Sequence, residues 1–125
     1  MLRLNHANLP VPDVPALRDF FVRHFDFRVV GTRPSDAFVV MEGADGFRLN
    51  LIRTRAEEPG YPRDFYVGFL VDAPETVRAK HAELTAAGVA AGDVQQLARG
   101  GESSVTSYCH AGNGILVEVG CPERR

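Results

Sequence analysis

Eight short stretches of the chain read as strands, several of them with hydrophobic and polar positions alternating at period two, and two more carry apolar residues at helical spacing. The alternation is clearest in Asn113-Gly114-Ile115-Leu116-Val117-Glu118-Val119. Ile115, Val117 and Val119 share one face of that strand; Leu116 and Glu118 share the other. Asn-Gly is a hairpin signal, because both residues tolerate positive φ. Asp45-Gly46-Phe47-Arg48-Leu49-Asn50-Leu51 repeats the pattern, with Asn50 falling on Glu118. A second echo lies upstream of each. His6 to Val11 is followed by Pro12-Asp13 and a helical pattern, and Tyr66 to Val71 by Asp72-Ala73-Pro74 and another. The chain therefore reads as two copies of strand, helix, strand, strand, strand.

Taken in order, Leu2 to Val11 is the first strand, with Ala7, Leu9 and Val11 on its apolar face. Pro10, Pro12 and Pro15 stop that pattern and suit a helix start, with Asp13 as N-cap and Pro15 in the first turn. Leu17, Phe20, Phe21 and Phe25 recur at helical spacing as core, and His24 is placed at the helix surface or boundary. Strands follow at Phe27 to Thr32, Phe38 to Met41 and Phe47 to Ile52. The charged stretch from Arg53 to Asp64, with Pro59, Gly60 and Pro62, is linker-like. In the second copy Phe65 to Val71 is a strand. Asp72 is the expected cap of a helix over Pro74 to Ala87, with Val77, His81 and Leu84 inward and Gly88 as its stop. Val94 to Leu97 and Ser103 to Cys109 are further strands, separated by Arg99-Gly100-Gly101-Glu102, read as a flexible turn.

The parity of these strands carries the functional information. Their apolar faces suit packing on two amphipathic helices. The opposite faces carry His6, Asn8, Arg48, Asn50, Ile52, Tyr66, Gly68, Leu70, Leu116 and Glu118, a mixture unlike a plain solvent face. A sheet curled to make this face concave would form a part-apolar cleft with a few polar groups, as ligand pockets do. The alternative is a solvated or dimer-buried face. A hairpin centred near Asn113 places Tyr108 opposite Glu118 and brings Thr106 to the same face.

Composition narrows the classes. The 125 residues are one domain's worth of chain, and a net charge of −2 without basic clusters argues against nucleic acid. No apolar run approaches the ~20 residues that cross a bilayer. Arg3, Asn5 and His6 interrupt the segment where a signal peptide would need apolar residues, which argues against export. The hairpin register sets Cys109 opposite a residue near position 117, well short of Cys121. Both cysteines are expected as reduced thiols in a cytoplasmic protein.

The order of these elements resembles the vicinal-oxygen-chelate superfamily, which includes glyoxalase I, extradiol dioxygenases, fosfomycin-resistance enzymes and bleomycin-resistance proteins. The resemblance rests on His6-Ala7-Asn8-Leu9-Pro10-Val11-Pro12-Asp13, on Tyr66 to Asp72, on Leu84-Thr85-Ala86-Ala87-Gly88-Val89, and on Asn113 to Glu118. The family's usual Asp-Pro before the last Asn-Gly is Ala111-Gly112 here. The resemblance implies one α+β domain over 1–125, with module one at 1–53, a linker at 54–63 and module two at 64–121. Its two βαβββ modules would form a U-shaped, cup-like mixed sheet with helices on the convex face, commonly in a homodimer.

The family's metal centre uses four pseudo-symmetric strand positions, which here hold His6, Asn50, Tyr66 and Glu118. His6 and Glu118 match ligand types and are the only candidates should one divalent metal ion bind. Catalytic zinc takes three protein ligands, and the non-haem iron triad takes two His and a carboxylate. A phenol is generally protonated at neutral pH and is a poor third donor. No cofactor is therefore expected. Two readings follow from the resemblance. One is a metal-independent protein that binds and sequesters a flat or aromatic small molecule, an antibiotic or an aromatic metabolite, with antibiotic resistance implied by the habit of the family. Its ligand would meet His6, Phe38, Arg48, Asn50, Tyr66, Thr106, Tyr108 and Glu118. The other is a metal-dependent lyase, isomerase or dioxygenase, with His6 and Glu118 as metal ligands or acid and base.

Overall fold

A computed structural model describes residues 1–55, 58–99 and 101–123. Positions 56 and 57 of the expected linker, Gly100 of the expected turn, and residues 124–125 lie outside the described residues. The chain forms two compact units, Met1–Gly60 and Tyr61–Arg125. The first holds β1 (His6–Val11), α1 (Val14–His24), β2 (Arg28–Thr32), β3 (Phe38–Glu42) and β4 (Arg48–Arg53). The second holds β5 (Tyr66–Leu70), α2 (Pro74–Ala86), β6 (Gln95–Arg99), β7 (Glu102–Gly112) and β8 (Ile115–Glu123). The class is α+β, with one βαβββ module in each unit. Strand orders are β1-β4-β3-β2 and β5-β8-β7-β6. Both sheets are mixed: β1 runs parallel to β4, and β5 to β8, while the remaining pairs are antiparallel.

The repeat seen in the sequence is present residue by residue in the registers. Asn50 lies between Asn8 and Val40. Glu118 lies between Gly68 and Tyr108. Setting Asn50 on Glu118 thus sets Asn8 on Gly68 and Val40 on Tyr108, and two residues upstream it sets His6 on Tyr66. The turn before β8 has two residues, since Gly112 pairs with Ile115. Asn113 and Gly114 both take left-handed φ, 57° and 75°, the backbone that matches strand twist in a tight hairpin.

α1 forms as expected. Asp13 accepts a hydrogen bond from the Ala16 N–H at 3.1 Å, and Arg23 sits in the last turn, where a cation suits the helix dipole. Leu17 and Phe21 are fully buried, and Phe21 meets Phe20, Phe25 and Phe27 at ring separations of 5.5–6.0 Å. The helix packs on β2, β3 and β4. His24, expected near the surface, is instead buried. It lies seven residues after Leu17 and three after Phe21, so it shares their inward stripe, with its ring 5.5 Å from Phe20.

α2 departs from expectation at its start. Ala73, not Asp72, is the N-cap, and no side chain caps it. Pro74 takes the first helical position, which moves the cap one residue past Asp72. The end is as read: Gly88 has φ +81°, its N–H bonds the Thr85 carbonyl, and the Val89 N–H bonds the Leu84 carbonyl. That pair of bonds satisfies the last-turn carbonyls. Val77 and Leu84 are buried and His81 is half-buried, with α2 packed on β7 and β8.

β1 begins at His6 rather than Leu2, and Leu2 and Leu4 are exposed. Its partner β4 begins only at Arg48, which pairs with His6, so earlier residues have no strand to join. Pro10 is tolerated because β1 is an edge strand. Cys109 pairs with Val117 and Cys121 with Val105; both thiols are free and buried. Burial pushes the Cys109 thiol up to about 11.

The two helix starts can be told apart by mutation. Asp13→Ala should cost about 1 kcal/mol in urea unfolding, the usual value of an N-cap. Asp72→Ala should stay within about 0.5 kcal/mol of the parent, as at an ordinary surface site.

Candidate functional site

In the second unit, β5, β7 and β8 bring a carboxylate and two aromatic rings together. Tyr108 lies directly across from Glu118, and Tyr66 is one diagonal step away on β5. The two tyrosine rings meet edge to face, centroids 5.9 Å apart at 90°. Gly120 makes room for the carboxylate, and Gly68 lies in ordinary contact with it. A Cβ at Gly120 would stand 3.3 Å from Glu118 Oε1, and one at Gly68 would stand 4.0 Å from it and 3.7 Å from the Tyr66 ring. Tyr66 is exposed, while Glu118 and Tyr108 are half-buried. Among the described residues the Glu118 carboxylate takes part in no hydrogen bond or ion pair. The side-chain donor expected to offset its burial is therefore not supplied by Tyr or His, and its half-exposure leaves it to water. Thr106 is buried, and its hydroxyl shares a 3.1 Å hydrogen bond with Ser104, so it forms a wall beside Gly120.

In the first unit the corresponding face carries His6, Asn8, Arg48, Asn50, Phe38 and Ile52. His6 is exposed and its Nδ1 lies 2.8 Å from Asn5 Oδ1. Asn50 Oδ1 is buried and has no hydrogen-bond partner among the described residues. Arg48 is held by Glu42 at 3.3 Å, and Glu42 also takes Arg28 at 2.8 Å. Those contacts tie Arg48 into an ion-pair ladder across β2, β3 and β4. Phe38 is half-buried beneath the Arg33 guanidinium, which sits 5.1 Å from the ring centroid. Beside Phe38 opens a cavity of about 590 Å³, whose rim holds Arg33, Arg53 and Arg55. Sequence reading passed over those arginines, because they fall in a turn and a linker-like segment where charge is ordinary.

The four positions that align with the family's metal centre divide as His6 and Asn50 in one unit, Tyr66 and Glu118 in the other. Each pair shares a sheet face within its own unit. The first unit offers an imidazole and an amide, the second a phenol and a carboxylate, and neither an amide nor a phenol is a strong neutral-pH donor for zinc or iron. Among the described residues no three His, Cys, Asp or Glu side chains gather as a metal cluster. Neither pair by itself fits a tight divalent site.

The profile of the Glyoxalase/Bleomycin resistance protein/Dioxygenase superfamily matches residues 3–119, and the chain belongs to that family. Among solved structures, one described as a possible glyoxalase from Bacillus cereus is 34% identical, covers 97% of this chain and 100% of its own, and has a TM-score of 0.84. An antibiotic-binding protein from a Streptomyces species is 17% identical over 98% of each chain, with a TM-score of 0.75. A glyoxalase/dioxygenase from Nostoc punctiforme is 17% identical, covering 98% of this chain and 92% of its own, with a TM-score of 0.71. The last two likenesses are of fold. No curated protein matches. Among the described residues no helix is long and apolar enough to cross a membrane.

The ladder at Arg48 generates a pH prediction. The hydrogen bond from Arg28, with Arg28's charge and then Arg48's, holds the Glu42 carboxyl below its ordinary 4.5. A depressed folded value means the stabilisation is present above the unfolded value and lost as pH falls through the folded one. Urea midpoints should therefore fall less steeply below pH 4.5 in Glu42→Gln than in the parent. The difference should be small and shrink with added salt, since the Arg28 and Arg48 side chains are 72% and 56% exposed.

Proposed function

We propose that this protein is a metal-independent small-molecule binder that sequesters a flat aromatic ligand, an antibiotic or an aromatic metabolite, in the cytoplasm. One observation carries the reading: the Glu118 carboxylate, given room by Gly120 and flanked by two edge-to-face tyrosines, has no partner of its own among the described residues. Rings offer a stacking surface, and a half-buried carboxylate orients a cationic or hydrogen-bond-donating group against it. The amide and phenol at two of the four metal positions support the metal-independent part. The neighbour of this fold that is described as an antibiotic-binding protein supports the binding part of the reading. Two buried unpaired thiols suit a reducing compartment.

A second reading has its own support. The structure at 34% identity is described as a possible glyoxalase. On that reading His6 and Glu118 serve a metal-dependent lyase, isomerase or dioxygenase. Elemental analysis of protein purified without a metal-binding tag separates the two. We expect substoichiometric Fe, Mn, Ni and Zn; one equivalent of any of them favours the enzyme.

Ligand identification by native mass spectrometry against aromatic amines and drug-like metabolites sets up the mutational test. Tyr66→Ala should weaken binding by about 1–3 kcal/mol, the range for stacking on an aromatic side chain. Glu118→Gln should weaken a cationic ligand and leave unfolding unchanged. Titration calorimetry in which both variants bind like the parent would remove this face from consideration.

The same proposal includes a homodimer. Each sheet has two edge strands, and Val29 and Val30 on the edge strand β2 are exposed. Exposed edges invite pairing unless covered. Light scattering at high micromolar concentration should give twice the 13.7 kDa chain mass; a monomer there counts against the dimer.

A further inference from the structure

We propose that the Met1–Gly60 unit carries a recognition site of its own, for a small organic anion that joins a carboxylate or phosphate to a flat apolar group. The site is the cavity of about 590 Å³ where β3 begins and β4 ends, a volume within the usual range of ligand pockets. Its rim is pinned by backbone bonds. The Arg53 N–H donates to the Ala37 carbonyl at 2.8 Å, the Arg33 N–H to the Phe38 carbonyl at 3.3 Å, and the Thr54 N–H to the Val11 carbonyl at 3.0 Å. Three arginines, Arg33, Arg53 and Arg55, therefore line one cavity in a chain whose net charge is −2.

Their countercharge is incomplete. Among the described residues the one carboxylate near Arg55 is Glu58, in a loose contact at 3.9 Å, and Asp36, the carboxylate nearest Arg33 in sequence, is drawn to Arg18 at 3.9 Å. Among the described residues neither Arg33 nor Arg53 is paired with a carboxylate. Like charges gathered at one rim repel, and an anion relieves that repulsion. Guanidinium forks match the oxygen geometry of carboxylate and phosphate.

The apolar half of the ligand follows from the floor. Phe38 is half-buried, with Arg33 stacked over its ring at 5.1 Å, and Ile52, its cross-strand partner, is left 38% exposed. A guanidinium stacked on a ring keeps its in-plane donors available for an anion. An aromatic or aliphatic plate laid on Phe38 and Ile52 would remove that surface from water while its acidic group met the arginines. This ligand is opposite in charge to the one expected at Tyr66 and Glu118, and Arg33 and Arg53 belong to this site alone, so the arginine variants separate it from the other although Phe38 was expected to serve there.

The test is titration of the full ¹⁵N-labelled chain with phenyl phosphate, benzoate, inorganic phosphate and phenol, followed by NMR at backbone and arginine Nε signals. Phenyl phosphate and benzoate should shift Arg33, Phe38 and Arg53, with whichever binds tighter naming the acidic group. Inorganic phosphate and phenol should each bind at least about tenfold more weakly, for want of one half of the ligand. Arg33→Gln and Arg53→Gln, both at exposed positions, should each weaken phenyl phosphate about tenfold, the scale of one charge-assisted contact. Phe38→Leu should remove the preference for phenyl phosphate over inorganic phosphate. Unchanged affinity in both arginine variants, equal binding of phenol and benzoate, or shifts confined to Tyr66 and Glu118 would overturn the proposal.

Discussion

Everything functional in this chain hangs on the hydrogen-bond ladders through β4 and β8. Each is an inner strand, held parallel on one side and antiparallel on the other. Ladder pairing fixes register, and register fixes which alternate side chains face the helix. Leu49 and Leu51 are thereby committed to the core under α1, and Val117 and Val119 to the core under α2. Asn50 and Glu118 fall on the other face by the same geometry. The core supplies the force that locks the register, and the polar face inherits its order from the core.

Much of this was legible because period-two alternation and Asn-Gly turns are local signals. The pairing of Tyr108 with Glu118 is the one expected of a hairpin centred near Asn113, and the structure reaches it through a two-residue turn and a one-residue shift of register between His110 and Gly112. Two features needed packing information. The inward turn of His24 depends on where the hydrophobic stripe of α1 lies in three dimensions, and a polar residue type pointed the other way. The cap of α2 depends on Pro74 taking the first helical position, which a neighbouring aspartate masks. The candidate site was legible as a face, and its details were not. That Gly120 clears a space for the Glu118 carboxylate, or that Glu42 holds Arg48, is a matter of side-chain distance. The arginine-rimmed cavity joins residues from a turn and from the end of a strand, a juxtaposition no periodicity announces.

The two units show how one frame takes on different chemistry. At matched ladder positions the first has His6, Asn8 and Val40, and the second has Tyr66, Gly68 and Tyr108. Backbone pairing is indifferent to these exchanges, because ladder bonds use main-chain atoms only. The face that meets a ligand is thus free to differ while the helix-facing residues stay aliphatic.

The two-residue turn at Asn113-Gly114 has a bearing on how such proteins can diverge. A strand slipped by one position exchanges its faces. The hairpin already carries one odd residue beside that turn: the register shifts between His110 and Gly112, and Val117 and Val119 stay buried all the same. The parity of β8 is held from its other side by the parallel pairing with β5. A change of length at this corner can therefore be taken up on the β7 side, leaving Glu118 on the open face.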